Sequence, residues 1–426
     1  MPPIDSAAPA AYSAGALRSR RSAEPAGPGP GSPAEVLRAF LRLGVTSFGG
    51  PIAHLGYFRE EFVARRRWLD DASFADLVAL SQFLPGPASS QVGFAVGLGR
   101  AGWFGGLAAW AGFTLPSALL LFLFARGASL LGSPWAAGLL HGLKLVAVAI
   151  VAQAVWGMAR NLCPDRQRAG IALVAAWIVT AGFTSARQIL AISLGGAAGL
   201  VLCRVAVGDA PGTIPVRVSR VAAAFCLALF AVLLVLLQVG ARTWPGSPLA
   251  LLDAFYRSGA LVFGGGHVVL PLLRGAVVLP GWVSDDAFLA GYGAAQAVPG
   301  PLFTFAAYLG AVAAPSPGLS GAALALVGIF LPGMLLLAGA LPFWDAFRRK
   351  AWAQAAMRGV NAAVVGLLGT ALYDPVFTTA VRRPADFGIA LGCFVLLVSW
   401  RLPPLAVVAL GAAAGALLPA LGGPAG

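Results

Sequence analysis

The sequence predicts an all-α polytopic membrane protein made of two homologous, inverted repeats. Three observations carry that prediction: little charge, apolar runs of membrane length, and one set of motifs that occurs twice in the same order. Of 426 residues, 59% are hydrophobic and 11% are charged, and the mean hydropathy is +0.83. Soluble domains carry about 25% charged residues, and a chain of this length needs that polar surface to stay dispersed. Lipid is therefore the solvent of most of this surface.

The hydrocarbon core of a bilayer needs roughly 20 apolar residues of helix. Ala101 to Ala125, Gly138 to Ala159, Val221 to Gly240, Gly318 to Phe343 and Pro403 to Leu421 meet that length. Shorter runs lie at Ala169 to Gly182, Arg187 to Cys203, Ala351 to Tyr373 and Phe387 to Trp400. In lipid each backbone polar group must be satisfied internally, which makes these runs helices. A β-barrel would need a long series of alternating ten-residue segments, and the chain has none.

Residues 1–33 are rich in Ala, Pro, Gly and Ser without an apolar secretory core, and read as a disordered cytoplasmic tail. The formal net charge is +13. Most Arg residues sit in loops between apolar runs, as the positive-inside bias requires. Those loops lack the aromatic interleaving of a nucleic-acid surface, so no nucleic-acid partner is expected. Cys163, Cys203, Cys226 and Cys393 are scattered, with no CxxC spacing. No metal site, redox pair or cofactor is therefore predicted.

The duplication is read from Phe40, Arg42, Gly44 and Phe48-Gly49-Gly50, which line up with Phe255, Arg257, Gly259 and Phe263-Gly264-Gly265. Trp68 and Asp71 then pair with Trp282 and Asp285, and Gln82-Phe-Leu-Pro85-Gly86-Pro87 pairs with Gln296-Ala-Val-Pro299-Gly300-Pro301. The repeats occupy residues 34–205 and 248–422, joined by a linker, 206–247, that holds a transmembrane helix. Loop charge predicts inversion. Arg59, Arg65, Arg66 and Arg67 follow the first FGG, against Arg274 after the second; the Arg126 loop is matched by Arg348, Arg349 and Lys350. The bias changes sides between repeats, although Arg382 and Arg383 run against it.

Each repeat has a broken, re-entrant segment. A Pro-Gly-Pro cannot lie in an unbroken helix, and breaks at membrane depth survive only under cover of protein or water. Paired interruptions in two halves are a pointer to a transporter's substrate site. Gly49, Gly50 and Gly264-Gly265-Gly266 allow close backbone approach, and a helix N-terminus suits an anion. The candidate binding residues are Arg42, Ser47, Phe48, Gly49, Gly50, Gln82, Pro85, Gly86, Pro87, Ser89, Ser90 and Lys144 in the first repeat. In the second they are Arg257, Phe263, Gly264, Gly265, Gly266, Gln296, Pro299, Gly300, Pro301 and Thr304. Amides and hydroxyls of this kind suit a tetrahedral oxyanion. The competing reading is that Gly and Pro only kink and pack helices.

Two readings also stand for the charges. Arg42 and Arg257 attract an anion or snorkel to the interface. His54 and His267 relay protons or are ordinary hydrogen-bonded residues. Asp70 and Asp285 couple protons or cap helices.

Phe48-Gly-Gly-Pro51 with Ile52-Ala-His54-Leu-Gly56, Arg65-Arg-Arg-Trp68-Leu-Asp70, Phe263-Gly-Gly-Gly266-His267 and the two QxxPGP motifs resemble the chromate ion transporter family in its long, two-domain form. The resemblance covers the chain from about Ala34 onward. It implies a multi-pass inner-membrane protein that exports chromate under the proton motive force and confers chromate resistance, with sulfate as natural competitor. The implied partners are the anion, coupling protons and membrane lipid, with a homodimer left open. A passive anion channel is one competing class. A membrane enzyme acting on an oxyanion is the other, but the chain has no CxxC, HExxH, P-loop or GxSxG nucleophile.

Overall fold

The structure, a computed structural model, describes residues 31–128, 134–182, 185–203, 214, 216, 218–263, 266–347 and 350–421. The expected tail up to residue 30, Gly264 and Gly265 of the second glycine cluster, and Arg348 and Arg349 lie outside the described residues. All regular elements among the described residues are helical.

In the first repeat α1 (Pro33–Thr46) ends at Phe48-Gly49, and α2 (Gly50–Phe58) runs into a π-helical turn at Arg59–Arg65. Then come α3 (Asp71–Phe83), α4 (Ala88–Ala128), α5 (Pro134–Leu162), α6 (Arg166–Thr180) and α7 (Ser185–Leu202). The linker holds α8 (Arg220–Thr243). The second repeat opens with α9 (Pro248–Ala260), then α10 (Val269–Leu273) with a π-helical turn at Arg274–Val278, and α11 (Asp285–Ala295). It continues with α12 (Phe305–Val312), α13 (Leu319–Ala340), the short α14 (Trp344–Phe347), α15 (Ala351–Ala371), the single turn α16 (Thr378–Ala380), α17 (Pro384–Val398) and α18 (Pro404–Leu421). Among the described residues, five helical stretches are long and apolar enough to cross a membrane: Ala88–Gly127, Ala137–Leu162, Arg220–Thr243, Leu319–Phe347 and Ala351–Ala380.

The first of these is not one rod. At Ala101 (φ −144°, ψ 29°) and Gly102 (φ 64°, ψ −159°) α4 turns back on itself. Its arms meet backbone to backbone: a Cβ built on Gly97 would lie 2.3 Å from the Gly105 carbonyl oxygen. The second repeat makes the same hairpin from α12 and α13, with Gly310 against Gly321. Residues 88–100 are thus a re-entrant arm, and the spanning arm is the apolar run that begins at Ala101.

The repeats exchange the equivalent helices α5 and α15. α5 packs against α17 and α18 of the second repeat, and α15 against α6 and α7 of the first. Glycine makes this approach possible. Gly138 and Gly142 lie on the backbone of Gly411 and Gly415; Gly195 and Gly199 lie on Gly359 and its neighbours. Without a hydrophobic drive between helices in lipid, such small-residue contact is what holds helices together.

The same contacts fix direction. Gly195 meets Gly359 and Ala363, whereas Gly199 meets Ala355 and Gly359, so α7 is antiparallel to α15. α5, α6 and α7 alternate through connections of a few residues, which makes α7 parallel to α5. The equivalent helices α5 and α15 therefore point opposite ways, and the repeats are inverted. Arg382 and Arg383, which opposed this on charge alone, stand at the head of α17. There Asp386 accepts both of their backbone N–H groups, and the Arg382 guanidinium reaches Asp286 at 3.4 Å.

α8 lies at the edge. Leu227 packs over Gly339 of α13, while Val221, Phe225, Val235, Leu236 and Val239 are exposed and form its lipid face.

Candidate functional site

The two Pro-Gly-Pro loops each reach into the other repeat. Gly86 donates its N–H to the Val262 carbonyl at 2.8 Å, and Gly300 donates to the Ser47 carbonyl at 2.9 Å. Val262 and Ser47 are equivalent positions, each just past the first helix of its repeat. Proline has no N–H, so glycine carries the only backbone donor in each triplet. Both glycines take a left-handed backbone, φ 126° and φ 97°. Gly86 rests on Gly333 of α13, and Gly300 on Ser117 and Phe113 of α4.

At this crossing lies a cavity of about 70 Å³. A water needs roughly 10–15 Å³ on this measure, so the space takes a guest the size of a few waters. Gly49 and Gly50 come from the first repeat's glycine cluster, and Ile150 and Gln153 from α5. The second repeat gives His267, Gln296, Val298, Gly300 and Leu302, and Pro404 heads α18.

The wall chemistry is neutral and donor-rich. The N-terminus of α2 opens at Gly49 (φ 104°), with no side chain capping it. Free N–H groups and the helix dipole make that end favourable for an anion. The Gln296 amide nitrogen is buried and has no hydrogen-bond partner. His267 Nδ1 lies 2.6 Å from the Tyr292 hydroxyl. Among the described residues, no Arg or Lys lines the cavity.

Gly266 lies against Pro51 of α2, and Phe263 is half-buried. Other candidates fall elsewhere. Arg42 is exposed on α1 and Gln82 is exposed on α3. Arg257 pairs with Asp253 at 2.8 Å. Lys144 is bonded to Asp286 across the repeats. Thr304 spends its hydroxyl on the Pro301 carbonyl at 2.8 Å. Asp70 caps α3 through the Ser73 N–H at 2.7 Å. Asp285 holds Arg274 at 2.8 Å at the head of α11, which Ser284 caps.

A buried polar patch backs the first repeat. Ser47, His54, Ser89, Ser90 and Gln91 are buried. His54 Nδ1 is 3.5 Å from Ser89 Oγ, and its ring stands edge-on to Phe113 at 5.2 Å. Ser47 Oγ, His54 Nε2, Ser90 Oγ, Gln91 Oε1 and Thr114 Oγ1 have no partner. Val262, Val269, Phe303 and Phe305 stand where Ser47, His54, Ser89 and Gln91 do, and only Ser90 keeps a hydroxyl, at Thr304, so most of the patch belongs to the first repeat. Sequence reasoning missed Gln153, Thr114 and Ser117. The available signal for Gln153 was a lone amide in the long apolar stretch from Leu145 to Trp156.

Tyr292 is the residue that orients His267. Tyr292→Phe removes the hydroxyl and leaves a buried ring nitrogen unpaired, which costs about 1–3 kcal/mol. The expected result is a lower unfolding temperature in detergent together with slower anion flux.

The family model described as "Chromate transporter" matches residues 34–200 and 249–416. A chromate transport protein of Pseudomonas aeruginosa is 31% identical over 88% of this chain and 89% of its own length. A probable chromate transport protein of Synechococcus elongatus is 26% identical over 90% and 95%. A chromate transport protein of Cupriavidus metallidurans is 26% identical over 84% and 85%. No solved structure matches the chain.

Proposed function

The chain belongs to the chromate transporter family, and from that premise we propose that it is a secondary active transporter that exports chromate, or a like tetrahedral dianion such as sulfate, across the inner membrane under the proton motive force. The observation that carries this is the cavity at the crossing of two broken segments, on the interface of inverted repeats. Its wall combines the open N-terminus of α2 with the unpartnered Gln296 amide.

A wall without fixed charge suits transport rather than storage, since an anion held by dipoles and amides can leave again. The membrane potential contributes about 2.3 kcal/mol per charge per 100 mV, so about 4.6 kcal/mol for a dianion leaving a negative interior. Protons moving inward would add to this drive.

Proteoliposomes loaded with chromate or sulfate test the reading. Saturable efflux that rises with an inside-negative potential is the expected result. No flux under any gradient would end the proposal, and large non-saturating currents would make the protein a channel. Gln296→Leu removes one hydrogen bond to a charged guest, about 1.5–3 kcal/mol. It is therefore expected to raise the half-saturating anion concentration about tenfold or more.

A further inference from the structure

One carboxylate is buried away from the cavity, on α9. Asp253 is 1% exposed. One of its oxygens is 2.8 Å from Arg257 Nη2, and the other, Oδ1, has no hydrogen-bond partner; Arg257 Nε has none either. Its depth can be read from its neighbours. Tyr256 donates its hydroxyl to the Phe230 carbonyl, halfway along α8, at 3.0 Å. Gly328, halfway along α13, lies against Phe255 and Leu252. Leu249, one turn earlier, lies against Gly240 of α8, so Asp253 sits inside the membrane layer between that end of α8 and its middle, where an acidic residue is costly and a functional role is the default expectation. The equivalent positions in the first repeat are Arg38 and Arg42, both exposed on α1.

A cavity of about 20 Å³ opens beside Arg257, which separates it from Asp253; Gln188, Ala254 and Ser258 line it together with apolar side chains such as Ile189 and Leu272. On the measure used above it holds a single water. We propose that Asp253 is a proton-binding residue of the transport cycle, paired with Arg257 and reached past it through this small cavity. The step moves one proton from water onto the carboxylate and changes no other bond. Ionised, Asp253 cancels the Arg257 charge; protonated, it leaves Arg257 positive and unpaired. From Asp253, α9 runs to Ala260, two residues before Val262, whose carbonyl holds the Gly86 N–H, so the charge state acts on the crossing of the repeats.

Few other charges face Asp253. On α8 the nearby one is Arg242, with Arg220 at the far end. α13 and α10 carry none. Arg274 in the π-helical turn is taken by Asp285, and Arg187 on α7 lies against Gly182. Tyr256, on α9 itself, is bonded to Phe230. This inference rests on the transport reading above, and its test separates the two.

The test uses the full chain in proteoliposomes with sulfate as probe. Infrared difference spectra across a pH titration should show a protonated-carboxyl stretch in the wild type that is missing from Asp253→Asn. In flux assays with an internal pH dye, Asp253→Asn should lose proton movement at least tenfold while sulfate exchange falls only a few-fold, and Asp253→Glu should restore proton movement. The same carboxyl band in Asp253→Asn, or wild-type proton movement with sulfate, overturns the proposal. Should Asp253→Asn not fold, the double variant Asp253→Asn/Arg257→Gln removes both charges and is read the same way. A wild type that exchanges no oxyanion sinks the transport reading, and the infrared titration still decides for Asp253.

Discussion

Gly300→Ala is expected to cut oxyanion flux at least tenfold while the protein reaches the membrane in normal amount. Two costs coincide at this residue. Its φ of 97° is closed to residues with a Cβ, a strain of about 1–3 kcal/mol. A Cβ there would also lie 2.7 Å from Ser117 Oγ and 3.1 Å from the Phe113 carbonyl oxygen. The hydroxyl can rotate away, but the backbone carbonyl cannot. Relief therefore has to come from withdrawal of the loop, and withdrawal breaks the bond to the Ser47 carbonyl.

Gly86→Ala should behave alike, because its φ is 126° and its Cβ would meet the Gly333 backbone at 3.0 Å. Gly246→Ala is the control. It has a left-handed φ of 76° but nothing within 4 Å, so it bears backbone strain without touching the crossing. Transport and membrane abundance, measured side by side in the three variants, check the claim. Wild-type flux in Gly300→Ala would mean that the crossing is not the working part.

The crossing itself was not legible in the sequence, for a physical reason. An alignment pairs Gly86 with Gly300 and Ser47 with Val262, because duplication preserves order. Hydrogen bonds pair Gly86 with Val262 and Gly300 with Ser47, because inversion brings each loop to the other repeat. The break at each Pro-Gly-Pro, the helical class and the two repeats were all readable, since proline chemistry and apolar length act locally. The α4 hairpin was half-readable: the long apolar run begins at Ala101, and the turn lies at Ala101-Gly102.

Charges were read less well. Residue type marks Arg42, Arg257 and Lys144 as unusual in an apolar setting, but type does not say which face of a helix carries them. The structure puts Arg42 outside and ties the other two to Asp253 and Asp286. Asp253 escaped notice because α9 is amphipathic in sequence; only the wrapping of α9 by α8 and α13 shows that it is buried.

Gly359→Leu and Gly142→Leu are expected to do the most damage to the fold, each blocking one of the two exchanged helices. A Cβ on Gly359 would lie 2.0 Å from the Gly195 carbonyl oxygen, and one on Gly142 would lie 2.3 Å from the Gly411 carbonyl oxygen. Overpacking against movable side chains costs about 1–3 kcal/mol, whereas here the obstacle is a helix backbone on both sides. Neither helix can step aside alone, because α15 also lies against α6, where Gly366 meets Ala172, and α5 against α11, where Gly293 meets Leu143. The expected outcome is loss of monodisperse protein in detergent, or an unfolding temperature lower by several degrees. Gly388→Leu and Gly392→Leu on α17 supply the contrast, since no atom lies within 4 Å of a Cβ at either position. Those two should unfold as the wild type does. All four are glycines in apolar helices, so a difference between the pairs can come only from the exchange. Equal stability in all four would remove the exchange as the contact that holds the repeats together.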